Sequence, residues 1–312
     1  MNENVLVTGG LGFIGSQFVR LLVQNKYYPI ILDKMTYAAD VKRIEDIRDN
    51  VYLYNGDICD EKLCNEIVTR KEVNIIVNFA AETMVDRSIN DAKPFIHSNI
   101  MGVYNLLEVV KENDLRFLQV STDEVYGSTV YDDQSFKETD KLGPGNPYSA
   151  SKASADLLTL SYFNTYNSNV VITRSSNNYG QFQHNEKFIP RMISLAMEGQ
   201  DLEVYGTGNN VRDWLCVTDN CLGIMKVMKE GRTGDIYNIG AGEEKTNNDV
   251  AEIIADKFGV WIKHIEDRKG HDFRYSINCN KIWSELNWDT KTTFEDGIKK
   301  TIDWYENKSI RL

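Results

Sequence analysis

Val5-Leu6-Val7-Thr8-Gly9-Gly10-Leu11-Gly12-Phe13-Ile14-Gly15 decides the fold of this chain. The first four residues read as a short buried strand, and the run breaks at once into glycine. Beyond it, Phe13, Phe18, Leu21 and Leu22 recur at helical spacing. A strand that turns through Gly9, Gly12 and Gly15 into a helix is a dinucleotide-binding turn. The glycines permit the tight bend, the approach of backbone to pyrophosphate, and close helix–strand contact. The helix N-terminus adds N–H donors and the positive end of its dipole. A second apolar run, Pro29-Ile30-Ile31-Leu32, ends at Asp33. An acid about 20 residues past the turn accepts hydrogen bonds from the adenosine ribose. Its charge repels a 2′-phosphate, so this order of elements predicts NAD rather than NADP.

Further apolar runs near 51–54, 74–79, 116–121 and 169–173 alternate with helical segments. That alternation predicts an α/β fold built on a doubly wound parallel sheet of the Rossmann type. Past about residue 180 the units shorten and are punctuated by glycine, as in Tyr205-Gly206-Thr207-Gly208 and Gly240-Ala241-Gly242. We read 1–179 as a dinucleotide-binding domain. Residues 180–312 read as a smaller mixed substrate-binding lobe, with some segments returning to the sheet.

Composition narrows the class. The 312 residues carry a net charge of −11, which lacks the basic footprint of a nucleic-acid-binding protein. A small anionic ligand held by local cations stays compatible with it. No run of about 18 apolar residues predicts a membrane span. The N-terminus runs straight into a strand without a basic leader, so a cytoplasmic location is expected. The five cysteines (59, 64, 216, 221, 279) are scattered, with gaps wider than usual zinc spacing. They read as free thiols, and no metal is expected. The stretch from Pro94 to Asn113 and the helix carrying Tyr148 are long enough to form a homodimer face. Periodicity equally allows them simply to pack on the sheet.

The reactive groups lie in two segments, Ser121-Thr122-Asp123-Glu124-Val125-Tyr126-Gly127 and Tyr148-Ser149-Ala150-Ser151-Lys152. Tyr148 and Lys152 are four residues apart, so a helix puts both on one face. A nearby ammonium is expected to lower the phenol's pKa and make it a base near neutral pH. Asp123 and Glu124 follow an apolar run, at the strand end where ligands bind in an open α/β sheet. Neighbouring carboxyls push their pKa values apart, so one can act as acid and the other as base.

With these pieces assembled, the chain resembles the extended short-chain dehydrogenase/reductase family across nearly its whole length. Within it, the resemblance is to nucleotide-sugar 4,6-dehydratases of the dTDP-glucose type. It is carried by Thr8 to Ser16, Asp33 to Ala38, Ala80 to Ser88, Thr122-Asp123-Glu124, Tyr148 to Lys152, Ser176 to Gly180, Glu186 to Pro190, Asn210 to Leu215 and Asp267 to Asp272. The acidic triplet discriminates, because related 4-epimerases carry a small or neutral residue there.

The resemblance implies that Tyr148, its pKa lowered by Lys152 and the nicotinamide cation, takes the C4 hydroxyl proton of the sugar while hydride passes to NAD. Glu124 then removes the C5 hydrogen, Asp123 protonates the departing C6 hydroxyl, and Thr122 bonds the sugar near C4. Hydride returns to C6, leaving a 4-keto-6-deoxy sugar and tightly held NAD. It further implies cofactor contacts from Gly9, Gly12, Phe13, Ile14, Gly15, Asp33, Lys34, Thr36, Asp57, Ile58, Ala80, Ala81, Ser98, Tyr148, Lys152 and Asn178. Substrate contacts would come from Thr83, Thr122, Asn177, Lys187, Phe188, Tyr205, Arg212, Asn247, Arg268 and His271. Arg212, Arg268 and Lys187 are expected to converge on a nucleotide diphosphate.

The chain departs from the family pattern at Thr83-Met84, where Ser-His is usual. Gln181, Asn185, Glu203 and Lys269 stand where prolines are usual. These positions leave UDP-glucose or another nucleotide hexose as alternative substrates. A nucleotide-sugar 4-epimerase or decarboxylase on the same fold is the alternative enzyme, and a dinucleotide-binding module without turnover the alternative class.

Overall fold

The computed structural model describes residues 3–129, 135–267 and 270–309. The first six apolar runs form β1 (Asn4–Thr8), β2 (Tyr28–Asp33), β3 (Tyr52–Asn55), β4 (Ile75–Asn78), β5 (Arg116–Thr122) and β6 (Val170–Ser175). After them come β7 (Asn177–Tyr179), β8 (Leu202–Tyr205), β9 (Val211–Cys216), β10 (Ile236–Ile239), β11 (Glu244–Thr246) and β12 (Ile262–Ile265). Seven strands make one parallel sheet in the order β10-β6-β5-β4-β1-β2-β3. The doubly wound sheet expected from the alternating runs is present. Its seventh strand, β10, comes from far along the chain and pairs with β6, Ile236 opposite Ile172.

Alternation along the strands builds a core on each face. Val5 and Val7 point to one side, with Phe18, Leu22, Ile31 and Ile224. Leu6 points to the other, with Ile30, Leu32, Ile76, Phe117 and Val170. A third cluster joins Tyr179, Ile189, Trp214, Val250, Ile254, Phe294 and Ile298. It lies around the small sheets β11-β9-β7 and β12-β8.

The winding direction reverses between β1 and β4, which are neighbours in the sheet. Crossover connections diverge there and leave a crevice above the strand ends. A buried polar ladder crosses that edge. The Thr8 hydroxyl donates to Asn78 Oδ1 (2.5 Å), and Asn78 Nδ2 donates to Gln119 Oε1 (2.8 Å). These bonds hold the ends of three adjacent strands level.

The helix Pro147–Tyr166 begins with a reciprocal cap between Asn146 and Ser149 and with proline in its first turn. Tyr148, Lys152 and Asp156 follow at four-residue steps, and all three are buried. Asp156 Oδ2 accepts from Arg174 Nε at 2.9 Å, and the Arg174 guanidinium lies 4.7 Å from the Tyr126 ring centre. This charge pair sits in the core beneath the reactive segment. Asp156→Ala strands the Arg174 charge and should cost about 3–5 kcal/mol in urea unfolding. Replacing both partners by apolar residues (Asp156→Leu with Arg174→Met) should recover most of that loss. A single variant as stable as the parent would show that the pair is not compensated by mutual burial.

Candidate active site

One cleft runs along the crevice above β1, β4 and β5. Its wall contains all the residues expected to hold the cofactor, from Gly9, Gly12, Phe13, Ile14 and Gly15 through Asp33, Lys34, Thr36, Asp57 and Ile58 to Ala80, Ala81, Ser98 and Asn178. Thr122, Asp123, Glu124, Tyr148 and Lys152 line its other end, together with Thr83, Asn177 and Lys187.

The adenosine end fits a dinucleotide. Gly9 has φ +68°, and a Cβ there would meet the Ala80 backbone nitrogen at 2.7 Å. A Cβ at Gly15 would lie 2.3 Å from the Gly9 carbonyl oxygen. The helix Phe13–Gln24 has no side-chain cap and no acid in its first turn, which suits an anion at its N-terminus. Asp33 accepts from Leu11 N–H (2.9 Å) on one oxygen and from Met35 N–H (2.8 Å) on the other. Each oxygen keeps acceptor capacity for a ribose hydroxyl. Burial raises the Asp33 pKa, and the two N–H bonds act against that rise. Farther out, Lys34 Nζ lies 2.7 Å from Asp57 Oδ2. Asp57, Cys59 and His97 bring possible ligand atoms within 4.8 Å of one another, but the Lys34 ammonium already neutralises that carboxylate.

At the reactive end, β5 stops at Thr122 and the chain enters a short 3₁₀ turn, Asp123–Tyr126. The Thr122 hydroxyl donates to Asp123 Oδ1 at 3.2 Å and caps the Glu124 N–H at 3.3 Å. Asp123 is buried and its Oδ2 has no hydrogen-bond partner. Burial, then the Glu124 and Asp213 charges, hold its carboxyl well above the ordinary range. The site thus favours the protonated form of Asp123, the form that can act as an acid. Glu124 is less buried, and the Tyr275 hydroxyl reaches its Oε2 at 3.4 Å while donating to Asp272 Oδ2 at 2.5 Å. Nothing in the residue pattern marked Tyr275 as part of the site. Its place depends on a fold contact between segments 151 residues apart.

The protein's own groups do not give the lowering of the Tyr148 pKa that was expected from Lys152. Burial raises the phenol, the Glu124 charge raises it further, and the bond to Thr122 only partly opposes them. Lys152 Nζ donates to the Val120 carbonyl of β5 at 2.7 Å. Burial lowers its own pKa to about 8, with Asp156 acting the other way. Helical spacing correctly puts the two groups on one buried face. It does not carry the desolvation that sets the sign of the shift.

Of the other expected substrate residues, Arg212, Asn247 and His271 lie near one another in the C-terminal lobe: Asn247 N–H donates to the Asn210 carbonyl and Arg212 reaches the Asp272 carbonyl. Lys187 Nζ donates to the Thr83 carbonyl at 2.9 Å, on the cleft wall. Phe188, Tyr205, Arg212, Asn247 and His271 are not among the lining residues, and Arg268 lies outside the described residues. Arg212 is buried and donates to the carbonyls of Val211 (2.7 Å), Asp272 (2.9 Å) and Phe273 (3.2 Å). Its guanidinium lies 4.4 Å from the Tyr275 ring centre. It pins the Tyr275 segment to β9. His271 Nδ1 pairs with Asp267 at 2.7 Å, and the Phe188 ring lies 6.1 Å from Trp214.

Comparison with known proteins gives a consistent picture. The sequence family described as GDP-mannose 4,6 dehydratase matches residues 6–301. The chain is 46% identical over 309 residues to the low-salt glycan biosynthesis protein Agl12 of Haloferax volcanii, covering 97% of this chain and 98% of that one. It is 43% identical to a dTDP-glucose 4,6-dehydratase of Streptomyces niveus, over 97% and 93% of the two chains. The crystal structure of DesIV, a dTDP-glucose 4,6-dehydratase from Streptomyces venezuelae with NAD and TYD bound, superimposes with a TM-score of 0.95. That pair is 41% identical, with 99% of this chain and 98% of the other covered. The fold, the cleft and these full-length similarities show that the chain belongs to the GDP-mannose 4,6 dehydratase family, on the extended short-chain dehydrogenase/reductase fold.

Proposed function

We propose that this protein is an NAD-dependent nucleotide-sugar 4,6-dehydratase that converts dTDP-glucose to dTDP-4-keto-6-deoxyglucose. The observation that carries the reading is the carboxyl pair at the end of β5. Burial and the neighbouring charges hold the Asp123 carboxyl well above its ordinary range, while Glu124 beside it is more open to solvent. A dehydration needs both states at once, an acid for the leaving oxygen and a base for the adjacent carbon.

Gly9, Gly12, Gly15 and Asp33 are the residues to hold the dinucleotide, for the steric and hydrogen-bonding reasons above. NAD held by these residues would supply positive charge and a reversible hydride acceptor. Tyr148 removes the C4 hydroxyl proton, with Thr122 hydrogen-bonded to the phenol to steer it. Glu124 then takes the C5 proton, which the new C4 ketone has acidified. Asp123 gives its proton to the C6 hydroxyl, and water leaves. Glu124 returns its proton to C5 when C6 is reduced. Tyr148 is then left with the C4 hydroxyl proton and Asp123 without its own, so one proton passes from the phenol to the Asp123 carboxyl before the next turnover.

The partner is best read as a second copy of the chain. Ile96, Met101 and Tyr104 are exposed before and along the helix Gly102–Asn113, and Leu157 and Tyr166 on the helix Pro147–Tyr166. Those two helices pack side by side, so their exposed apolar groups can form one face. Light scattering should give twice the chain mass, and Leu157→Lys should shift it toward the monomer. A monomeric parent protein would end this assignment.

The direct test of function is incubation with dTDP-glucose and, separately, UDP-glucose. Loss of about 18 mass units, with alkali-induced absorbance of a 4-keto sugar, is expected with dTDP-glucose. Unchanged mass with inverted C4 would make the protein an epimerase, and no product with either sugar would make it a binding module. The division of labour is tested by substitution. Tyr148→Phe should prevent any NADH absorbance on adding substrate. Asp123→Asn and Glu124→Gln should allow oxidation yet slow water loss by roughly 10²–10⁴-fold. If Glu124→Gln exchanges the C5 hydrogen with deuterated solvent at the parent rate, another group is the base.

A further inference from the structure

Three separate segments meet at Glu186, on the rim of the cleft. Thr36, Ala38 and Ala39 line the cleft, whereas Tyr37 between them does not and is exposed. Its hydroxyl donates to Glu186 Oε1 at 3.1 Å, across 149 residues of sequence. Arg87, on the helix Val85–Asn90 that follows the Ala80-to-Thr83 wall, stacks its guanidinium 3.6 Å from the Tyr37 ring centre. Arg87 Nη2 also lies 3.9 Å from Glu186 Oε2. The His184 ring meets Tyr37 edge-on at 5.7 Å. On the same strip, Lys187 bonds the Thr83 carbonyl. Both His184 and Glu186 line the cleft opposite the Thr36-to-Ala39 loop.

From this arrangement we propose that Tyr37 and Arg87 act with Glu186 as a clasp across the cleft that slows exit of the dinucleotide. The inference rests on the reading of the cleft as an NAD site and adds a retention device to it. The loop after β2 carries the ribose acceptor Asp33 at its root and Tyr37 at its tip. A dinucleotide anchored by the first is therefore covered by the second. Leaving the cleft requires the loop to part from the 184–187 segment. That means giving up a hydrogen bond to a carboxylate and a cation–aromatic contact together. A reaction that oxidises and then reduces the same substrate gains from this, since premature loss of the reduced cofactor would strand a ketone in the cleft.

The test measures exchange rather than turnover. Holoenzyme is mixed with excess isotope-labelled NAD, and protein-bound label is counted after rapid desalting at intervals. Tyr37→Phe keeps the ring and loses the hydroxyl bond, and should exchange roughly tenfold faster than the parent. Arg87→Gln loses the stacking and the ion pair, and should exchange at least as fast. The double variant should be little faster than Arg87→Gln alone, because the groups act as one unit. Tyr52→Phe, on edge strand β3, should leave exchange unchanged. Parent-like exchange in both single variants would overturn the clasp while leaving the NAD site intact. Failure of the parent protein to take up NAD at all would remove the site and the clasp with it.

Discussion

Everything in this structure is arranged around a backbone-to-backbone contact that tolerates no side chain. Gly9 turns with positive φ directly against the Phe79–Ala80 backbone, and Gly15 sits on the Gly9 carbonyl. Through these contacts the first helix lies close over the sheet, with its N-terminus aimed along the crevice. The same closeness brings Leu11 N–H to Asp33, so one carboxylate both braces the turn and faces the ribose position. A methyl group at either glycine would displace helix, turn and acid together.

At the other end of the cleft the controlling variable is access to water. Asp123 and Glu124 are adjacent in sequence and chemically alike, yet Asp123 is buried and its carboxyl is pushed well above the ordinary range, while Glu124 is more open to solvent. Burial is the main cause of the Asp123 shift, and the Glu124 charge reinforces it. The same desolvation acts on Tyr148 and Lys152 and favours the neutral form of each. The reactive end of the cleft is thus poorly solvated. A cationic ligand beside the phenol would be worth more there than in water.

Local patterns made much of this legible. The strands, the glycine turn, Asp33, and the shared face of Tyr148 and Lys152 all follow from spacing within about thirty residues, the scale of one βαβ unit. What the pattern could not supply is long-range. That some C-terminal segment returns to the sheet was expected, but its identity as β10 beside β6, the Tyr275 hydroxyl at Glu124, and the contact of Arg212 with the Asp272 and Phe273 carbonyls depend on chain segments brought together only by folding. The sign of the Tyr148 shift was lost for a related reason, since spacing reports neighbours and not solvent.

The position of β10 has a consequence for how the chain reaches this state. Strands β1 to β6 can assemble as they emerge in sequence, but the β6 edge stays open until Ile236–Ile239 arrives. Before that, the nascent chain presents a fully apolar, hydrogen-bond-hungry strand, Val170-Val171-Ile172, to its surroundings. Final closure of the sheet is thereby a late, high-contact-order event. Cutting the chain at the apparent boundary between its lobes would yield a sticky half rather than an independent domain.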